Sequence, residues 1–162
     1  MIDIQKAPIK DLLGIAIRSE IDSNRVYSDL AQHVTNPLLK EKFQFLAYEE
    51  KKHKQILEKL SDILCPDTKP HIPEKVDEQL LPSIQFTSST GLAEILYQAT
   101  KAEQAAEEFY ARTAEKVSGL PQKMLTYLSK IEHSHFLTLK NEYALAQDFA
   151  DYGEQDIDKI IT

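Results

Sequence analysis

The chain has 162 residues, of which 42% are hydrophobic and 28% are charged, and its net charge is −7. This length suits one globular domain with a substantial core. The acidic balance disfavours nucleic acid and anionic membranes as partners, because both need a basic face. The single cysteine, Cys65, can form neither an internal disulfide nor a cysteine-ligated metal centre.

Two further features bear on where the protein works. The sequence contains no run of about 18 apolar residues, so we expect no membrane span. The first residues, Met1 to Lys6, lack the basic region and apolar core of a signal peptide. Together with the lone cysteine, these features predict a protein of the reducing cytoplasm.

The first predicted helix covers about residues 8–34. Pro8 suits its first turn, where a missing amide hydrogen costs little. Residues three and four positions apart share one face of a helix. That face consists of Leu13, Ala16, Ile17, Glu20, Ser23, Asn24, Tyr27, Leu30, Ala31 and Val34. A glutamate and a tyrosine therefore lie within a mainly apolar face. Gly14, inside this helix, costs about 1 kcal/mol of helix preference against alanine.

The second predicted helix covers about residues 37–61. Asn36 is suited to cap it and Pro37 to occupy its first turn. Its mainly apolar face comprises Leu39, Phe43, Leu46, Ala47, Glu50, His53, Leu57 and Leu60. Its opposite face is predicted to be solvated and carries Glu41, Lys42, Glu49, Lys52 and Glu58.

Residues 62–89 lack the helical period and are predicted to be a surface connection. Four prolines fall in this stretch: Pro66, Pro70, Pro73 and Pro82. Proline removes a backbone donor and disfavours helix interiors. A short helix over residues 74–81 is compatible with the sequence, and the rest reads as an ordered loop.

The third and fourth predicted helices cover about residues 90–117 and 121–150. Ser118 and Gly119 are expected to end the third helix, and Pro121 to start the fourth. The face of the third helix contains Leu92, Leu96, Ala99, Thr100, Glu103, Ala106, Glu107, Tyr110 and Ala114. The face of the fourth contains Leu125, Leu128, Ser129, Glu132, His135, Phe136, Leu139, Tyr143 and Ala146. The tail, residues 151–162, is compatible with a short docked helix or with a frayed end.

The helices form two repeated hairpins. The glutamate and tyrosine of the first helix recur in the third at the same spacing, and the Glu-x-x-His motif of the second recurs in the fourth. The repeated pairs are Glu20 and Glu103, Tyr27 and Tyr110, Glu50 and Glu132, and His53 and His135. An internal repeat of this kind fixes the architecture, so we predict an all-α four-helix bundle in a single domain, 1–162.

The spacing places the four repeated glutamates at one height. Each lies about 15 residues from the turn of its hairpin, or roughly 22 Å at the rise of an α-helix. The connection over residues 62–89 is long enough to recross a bundle of about 39 Å. Such a crossover makes the second and third helices parallel and brings both hairpins' glutamates to mid-bundle.

Buried glutamates at one level predict a site for two metal ions. A glutamate in a core is costly unless it is paired or metal-bound, and four together repel one another. Oxygen-rich ligands with one imidazole per ion suit iron or manganese. The predicted ligands are Glu20, Glu50, His53, Glu103, Glu132 and His135. The alternative is a metal-free helical bundle.

Other polar residues are assigned less central roles. Tyr27 and Tyr110 are predicted to hydrogen-bond the ligand carboxylates. Glu107 lies one turn beyond Glu103. Its side chain either acts as an additional ligand, directly or through another ligand, or points away from the site. We expect Cys65 to be no catalytic thiol, because no base is near it in the sequence. The remaining histidines are predicted to lie on the surface: His33, His71 and His133.

The ligand pattern resembles the di-iron carboxylate proteins of the ferritin-like superfamily. Three features are similar to the rubrerythrin-type branch: the stretch 49–53, the stretch 105–110 and Tyr27. The resemblance covers about residues 8–150. It implies two iron ions, with manganese or a mixed pair as alternatives, and reduction of hydrogen peroxide or oxygen.

Two departures from rubrerythrins concern their chemistry. Rubrerythrins carry a rubredoxin-like domain with four cysteines, which this sequence lacks, so electrons are expected from a separate donor protein. Rubrerythrins also carry a glutamate one turn after the third-helix ligand, where this chain has Ala106, and Glu107 is one residue out of step. Alternatives are a ferroxidase that stores iron in a cage and a di-iron hydroxylase. We expect a homodimer.

Overall fold

The computed structural model describes residues 2–149 and contains four helices in that range. They are α1 (Ile9–His33), α2 (Pro37–Leu64), α3 (Leu92–Ala114) and α4 (Gly119–Asp148). Residues 2–149 contain no strand, so the predicted all-α bundle is confirmed. None of these helices is both long and apolar enough to cross a membrane. The predictions for the tail, 151–162, lie outside the described residues.

The helices pair as two hairpins that pack against each other. Helix α1 packs on α2, α3 packs on α4, and α2 also contacts α4. Tyr27 of α1 bonds Glu103 of α3, whereas the earlier Glu20 bonds the later Tyr110. The later residue of α1 thus contacts the earlier residue of α3, and the earlier residue of α1 contacts the later one of α3. Helices α1 and α3 are therefore antiparallel. Helices α2 and α3 are therefore parallel, as the crossover connection predicted.

The first two helices begin close to the predicted positions. Pro8 precedes the first residue of α1 and makes no side-chain cap. The side chain of Asn36 accepts hydrogen bonds from the amides of Leu38 (3.0 Å) and Leu39 (3.2 Å), so Asn36 is the N-cap of α2. Such a cap contributes about 1 kcal/mol, because helix starts leave their amides unpaired. Helix α2 continues three residues beyond its predicted end at 61.

The boundaries of α3 and α4 differ from the predicted ones for local reasons. Thr90 does not start α3, because its hydroxyl accepts a hydrogen bond from the Thr87 amide in the preceding turn (2.9 Å). Helix α3 ends at Ala114 rather than 117. Gly119, predicted as the stop of α3, is instead the first residue of α4 and has a φ of 68°. Its freedom from a Cβ permits this left-handed conformation.

The crossover between α2 and α3 contains no helix over residues 74–81. That segment has one turn only, in which the amides of Leu80 and Leu81 donate to the Asp77 carbonyl at 2.9 and 3.0 Å. The crossover is also more than a surface loop, since Leu81 and Ile84 are buried in the core. It thereby covers part of the bundle.

The crossover touches α1 at Gly14. A Cβ at Gly14 would lie 2.0 Å from the carbonyl oxygen of His71, a distance that no real contact allows. The glycine therefore serves a close approach between the helix and the crossover. This contact offsets the lower helix preference of glycine.

The apolar core is divided into two clusters along the bundle. One cluster includes Leu13, Leu57 and Leu128. The other includes Leu30 and Leu96. Each fully buried leucine contributes about 1.5–3 kcal/mol relative to exposure. Polar residues lie at the level between the two clusters, and they form the candidate site.

Candidate metal centre

Six polar residues from all four helices meet between the two apolar clusters. Each is at most 3% exposed. We call them the carboxylate–histidine cluster: Glu20, Glu50, His53, Glu103, Glu132 and His135. These are the six ligands predicted from the sequence, and the structure brings all of them together. Regular helices with residues at three- and four-residue steps place them on the inner faces.

One half of the cluster is organised around His53 of α2. Its Nδ1 lies 2.9 Å from Oε1 of Glu132, 3.6 Å from Oε2 of Glu20 and 3.8 Å from Oε1 of Glu50. The imidazole thus faces carboxylates from three different helices. This arrangement gathers the donor atoms around one point.

The other half is organised around His135 of α4 and mirrors the first. Its Nδ1 lies 3.0 Å from Oε2 of Glu132, 3.3 Å from Oε1 of Glu50 and 3.6 Å from Oε2 of Glu103. The two imidazole rings stack with centroids 5.5 Å apart and an interplanar angle of 17°. The sequence repeat therefore appears as an approximate twofold symmetry of the site.

The two halves share their central carboxylates. Glu50 and Glu132 each belong to both groups of four ligand atoms that lie within 4.8 Å of one another. Metal–ligand bonds of about 2.0–2.2 Å hold the ligands of one ion within about 4.4 Å of each other. Small side-chain movements are sufficient to bring each group to that spacing. The shared pair can bridge two neighbouring ions.

Several buried atoms of the cluster have no hydrogen-bond partner of good geometry within residues 2–149. They are Oε2 of Glu20, Oε1 of Glu50, Nδ1 of His53, Oε1 of Glu132 and Nε2 of His135. An unsatisfied buried polar atom costs about 1–3 kcal/mol. Carboxylate oxygens and imidazole nitrogens are ligands that divalent iron and manganese accept. The residues of the cluster therefore fit a metal centre.

Burial and the closeness of other charged groups shift the pKa values of the glutamates in the cluster. Burial, followed by repulsion from Glu132, raises the pKa of Glu50 well above its usual value. Burial likewise raises the pKa of Glu132 to about 7. Burial also opposes ionisation of Glu103, but bonds from His135 and Tyr27 outweigh it and lower the pKa of Glu103. Cations between these carboxylates would remove the repulsion.

The histidines take up positive charge in response to the carboxylates. Burial acts to lower the pKa of His53, but the nearby carboxylates of Glu132 and Glu20 outweigh it and raise the pKa to about 11. The pKa of His135 is raised for the same reason, by Glu103 and Glu132. Protons on the imidazoles and bound cations therefore compete for the same carboxylates.

Comparison with known proteins places this chain in a family. The sequence matches the rubrerythrin family over residues 11–143, a range that includes the whole carboxylate–histidine cluster. The chain belongs to the rubrerythrin family. Together, membership of this family and the buried cluster indicate iron binding.

A solved structure extends the comparison. A hypothetical protein from Pyrococcus furiosus is 31% identical, and the similarity covers 91% of this chain and 98% of that one, with a TM-score of 0.80. The shared fold agrees with the ferritin-like four-helix bundle expected for a rubrerythrin. No curated protein matches the sequence.

In this rubrerythrin-family chain, two tyrosines support the cluster by hydrogen bonds between α1 and α3. Tyr27 donates its hydroxyl hydrogen to Oε1 of Glu103, and Tyr110 donates to Oε1 of Glu20. The predicted hydrogen bonds to carboxylates are present, and each tyrosine reaches the glutamate of the other hairpin. Burial, then the neighbouring carboxylates, raises the pKa of both tyrosines well above 10. Both remain neutral donors over the physiological pH range.

Glu107 is turned away from the cluster. Its Oε2 lies 3.0 Å from Nδ1 of His133, which is half exposed. Ala106 packs against the apolar core. The extra carboxylate of rubrerythrins thus has no counterpart at either position. The other two histidines are exposed as predicted, and His33 bonds the Asp29 carbonyl.

One buried carboxylate was missed by sequence reasoning. Glu142 of α4 is buried, and it accepts a hydrogen bond from Nζ of Lys42 of α2. The prediction placed Lys42 on the solvated face of its helix and left Glu142 off the inner face of α4. The spacing in the sequence could have identified it, because a residue seven positions after His135 and three after Leu139 lies on the same face of α4.

Proposed function

We propose that the carboxylate–histidine cluster holds two iron ions and that the protein is an oxidoreductase that reduces hydrogen peroxide or oxygen. Electrons are supplied by a separate donor protein. The observation that carries this proposal is the sharing of Glu50 and Glu132 between two groups of four ligand atoms. Membership of the rubrerythrin family supports iron as the metal.

Each residue of the cluster has a distinct part in this proposal. His53 and Glu20 would hold one ion, and His135 and Glu103 would hold the other. Glu50 and Glu132 belong to both groups of ligand atoms and would be shared by the two ions. The same oxygen-rich donor set accepts manganese, so a mixed pair of iron and manganese satisfies the same contacts. Metal analysis distinguishes these compositions.

The bound ions supply the redox chemistry, and the chain supplies a closed environment. Two ferrous ions held there would supply the two electrons that, with two protons, the reduction of one hydrogen peroxide to two waters requires. The apolar clusters on either side exclude bulk water from the site. Tyr27 and Tyr110 hold two of the carboxylates in place by hydrogen bonds.

The source of electrons and the assembly are parts of the same proposal. The 162 residues contain one cysteine, and we propose that a separate donor protein supplies the electrons. We expect a cytoplasmic homodimer without nucleic-acid or membrane partners. A sizing column separates this from an iron-storage cage, since one or two chains of 18.5 kDa each are too small to enclose a cavity.

Anaerobic addition of ferrous iron tests the site and the reaction together. Wild-type protein is expected to retain two irons per chain, and the variant Glu50→Ala with Glu132→Ala is expected to retain none. Glu58→Ala with Glu108→Ala, which removes two surface carboxylates, is the matched control. Two irons per chain in the first variant would refute the site.

The oxidant is tested on the same loaded protein. Peroxide or air is then added, and the optical spectrum is followed in time. Fast oxidation by peroxide and slow oxidation by air supports the peroxidase activity. Fast oxidation by air together with a cage-sized assembly supports the ferroxidase alternative.

A further inference from the structure

The carboxylate–histidine cluster is braced by hydrogen bonds on three of its sides, and the groove of about 400 Å³ between α1 and the crossover has no cluster residue in its wall. Toward α1 and α3, Tyr27 and Tyr110 bond two of its carboxylates, and Leu81 and Ile84 of the crossover are buried in the two apolar clusters. The α1–α2 side is joined by a bond of 2.5 Å from Nδ2 of Asn24 to the Ala47 carbonyl. The α3–α4 side is joined by a bond of 3.0 Å from Ser129 Oγ to the carbonyl of Glu107.

The fourth side, between α2 and α4, carries a groove that reaches the cluster. It has a volume of about 390 Å³ and is lined by residues of these two helices alone. His135 is the cluster residue in its wall. Since a water molecule takes up about 30 Å³ in the liquid, the groove has room for a divalent ion with its first water shell.

Phe45 separates His135 from solvent in this groove. Its ring meets the imidazole edge-on, with centroids 6.4 Å apart and an angle of 84°. In the part of the chain that the structure describes, Phe45 is 57% exposed. Exposed side chains change rotamer within nanoseconds. Phe45 can therefore move aside without disturbing the core.

The chemistry of the groove suits a hard cation. Its lining combines apolar residues with three residues that carry side-chain oxygen atoms, Glu41, Ser134 and Thr138. Among the described residues that line the groove, the cationic side chain is that of Lys42, which is paired with the carboxylate of Glu142. Carboxylate oxygens and water are ligands that suit divalent manganese, and imidazole suits iron.

We infer that this groove is the passage by which divalent metal ions reach the carboxylate–histidine cluster, with Phe45 as a movable barrier at its floor. The inference rests on the proposed metal site. Phe45 sets the rate at which ions enter and leave. The affinity of the cluster itself is set by the six ligands behind it.

Cobalt(II) uptake and release test this passage without any measurement of activity. Apo protein is mixed with cobalt(II) in a stopped-flow instrument, and release from loaded protein is driven by excess chelator. Phe45→Ala is expected to accelerate both rates by about tenfold, a size typical of losing one aromatic contact. Phe45→Trp is expected to slow both. The final cobalt content stays that of wild type.

Tyr97→Ala is the matched control. Tyr97 is also a half-exposed aromatic on a helix surface, and its ring leans on Tyr143 rather than on a cluster residue. The rates of cobalt(II) uptake and release in Tyr97→Ala are expected to equal those of wild type. Phe45→Leu serves as a second, milder variant should Phe45→Ala unfold, as judged by circular dichroism.

These measurements distinguish failure of the proposed passage from failure of the proposed metal site. Unchanged rates in every Phe45 variant, with cobalt still lost when Glu50 and Glu132 are replaced by alanine, overturn the passage and leave the metal site standing. Full cobalt retention in that double variant overturns the metal site itself. Faster rates in both Phe45→Ala and Tyr97→Ala also overturn the passage, because they point to a general loosening of the bundle.

Discussion

Tyr27 of α1 donates a hydrogen bond to Glu103 of α3, across the interface between the two hairpins. The second hairpin returns the same contact, since Tyr110 of α3 donates to Glu20 of α1. The internal repeat of the sequence thus becomes a reciprocal pair of bonds. Each hairpin positions a carboxylate that belongs to the other, so the site is complete only when both are docked.

Removing either hydroxyl is predicted to weaken both the fold and the metal site. Tyr27→Phe or Tyr110→Phe leaves a buried carboxylate oxygen without its donor. The free energy of unfolding of metal-free protein should fall by about 1–3 kcal/mol. Metal affinity should fall about 10–100-fold, as is usual when a residue that orients a ligand is lost. Urea unfolding and competition with a chelator measure the two effects.

Tyr143→Phe is the control for this comparison. The Tyr143 hydroxyl accepts a hydrogen bond from the exposed side chain of Gln147, so its loss should change stability by no more than about 0.5 kcal/mol. Equal effects of Tyr143→Phe and Tyr27→Phe on metal affinity would contradict a supporting role for the buried tyrosines.

The metal-free protein is predicted to lose stability as pH rises. Glu132 has its pKa raised to about 7, so it stabilises the fold below the usual value near 4.5, and this contribution is lost as pH rises through 7. His53 has its pKa raised to about 11, so its contribution is present below 6.5 and lost as pH rises through 11. Glu103, with a lowered pKa, acts in the opposite direction, but only in acid.

Bound metal should reverse this trend. Metal ions need deprotonated ligands, so they bind more tightly as protons leave the cluster. The gain in melting temperature on adding ferrous iron anaerobically should therefore be larger at pH 8 than at pH 5.5. Thermal unfolding of loaded and metal-free protein at both values measures it. The same gain at both pH values would indicate that metal binds outside the cluster.

The helices and the residues of the cluster were predictable because both depend on local geometry. The constant rise of an α-helix, about 1.5 Å per residue, and a short turn fix the relative height of Glu20 and Glu50. The cost of burying a carboxylate then identifies the polar residues that need a partner. These constraints act within one hairpin, and the repeat extends them to the other.

Contacts between distant segments left no such pattern in the sequence. The approach of His71 to Gly14 depends on the path of the crossover, which no periodicity encodes. The pairing of Lys42 with Glu142 depends on the packing of α2 on α4. The loop over residues 74–81 shows the same limit, because buried Leu81 and the prolines hold it in an irregular path.

Gly14→Ala is predicted to destabilise the protein although alanine is the better helix former. The new Cβ would lie 2.0 Å from the His71 carbonyl oxygen, so the crossover must move. Overpacking of this kind costs about 1–3 kcal/mol, which exceeds the gain of about 1 kcal/mol in helix preference. Gly91→Ala is the control, because nothing lies within 4 Å of its Cβ. A melting temperature for Gly14→Ala at or above that of wild type would contradict the close approach.

Single glutamate replacements are predicted to separate the two metal positions. Glu103 belongs only to the group of ligand atoms around His135, whereas Glu132 belongs to both groups. Glu103→Gln should therefore reduce the metal content toward one ion per chain, and Glu132→Gln should reduce it further. Metal analysis after gel filtration measures the content.

Glu107→Gln provides the matched control for Glu103→Gln. Glu107 lies one turn further along α3, and its carboxylate contacts only the surface residue His133 among the described charged groups. A half-exposed pair of this kind contributes about 0–1 kcal/mol, so stability and metal content should both stay near those of wild type. Loss of an ion in Glu107→Gln would show that this carboxylate can swing inward. Glu107 would then take the place of the glutamate that rubrerythrins carry at the position of Ala106.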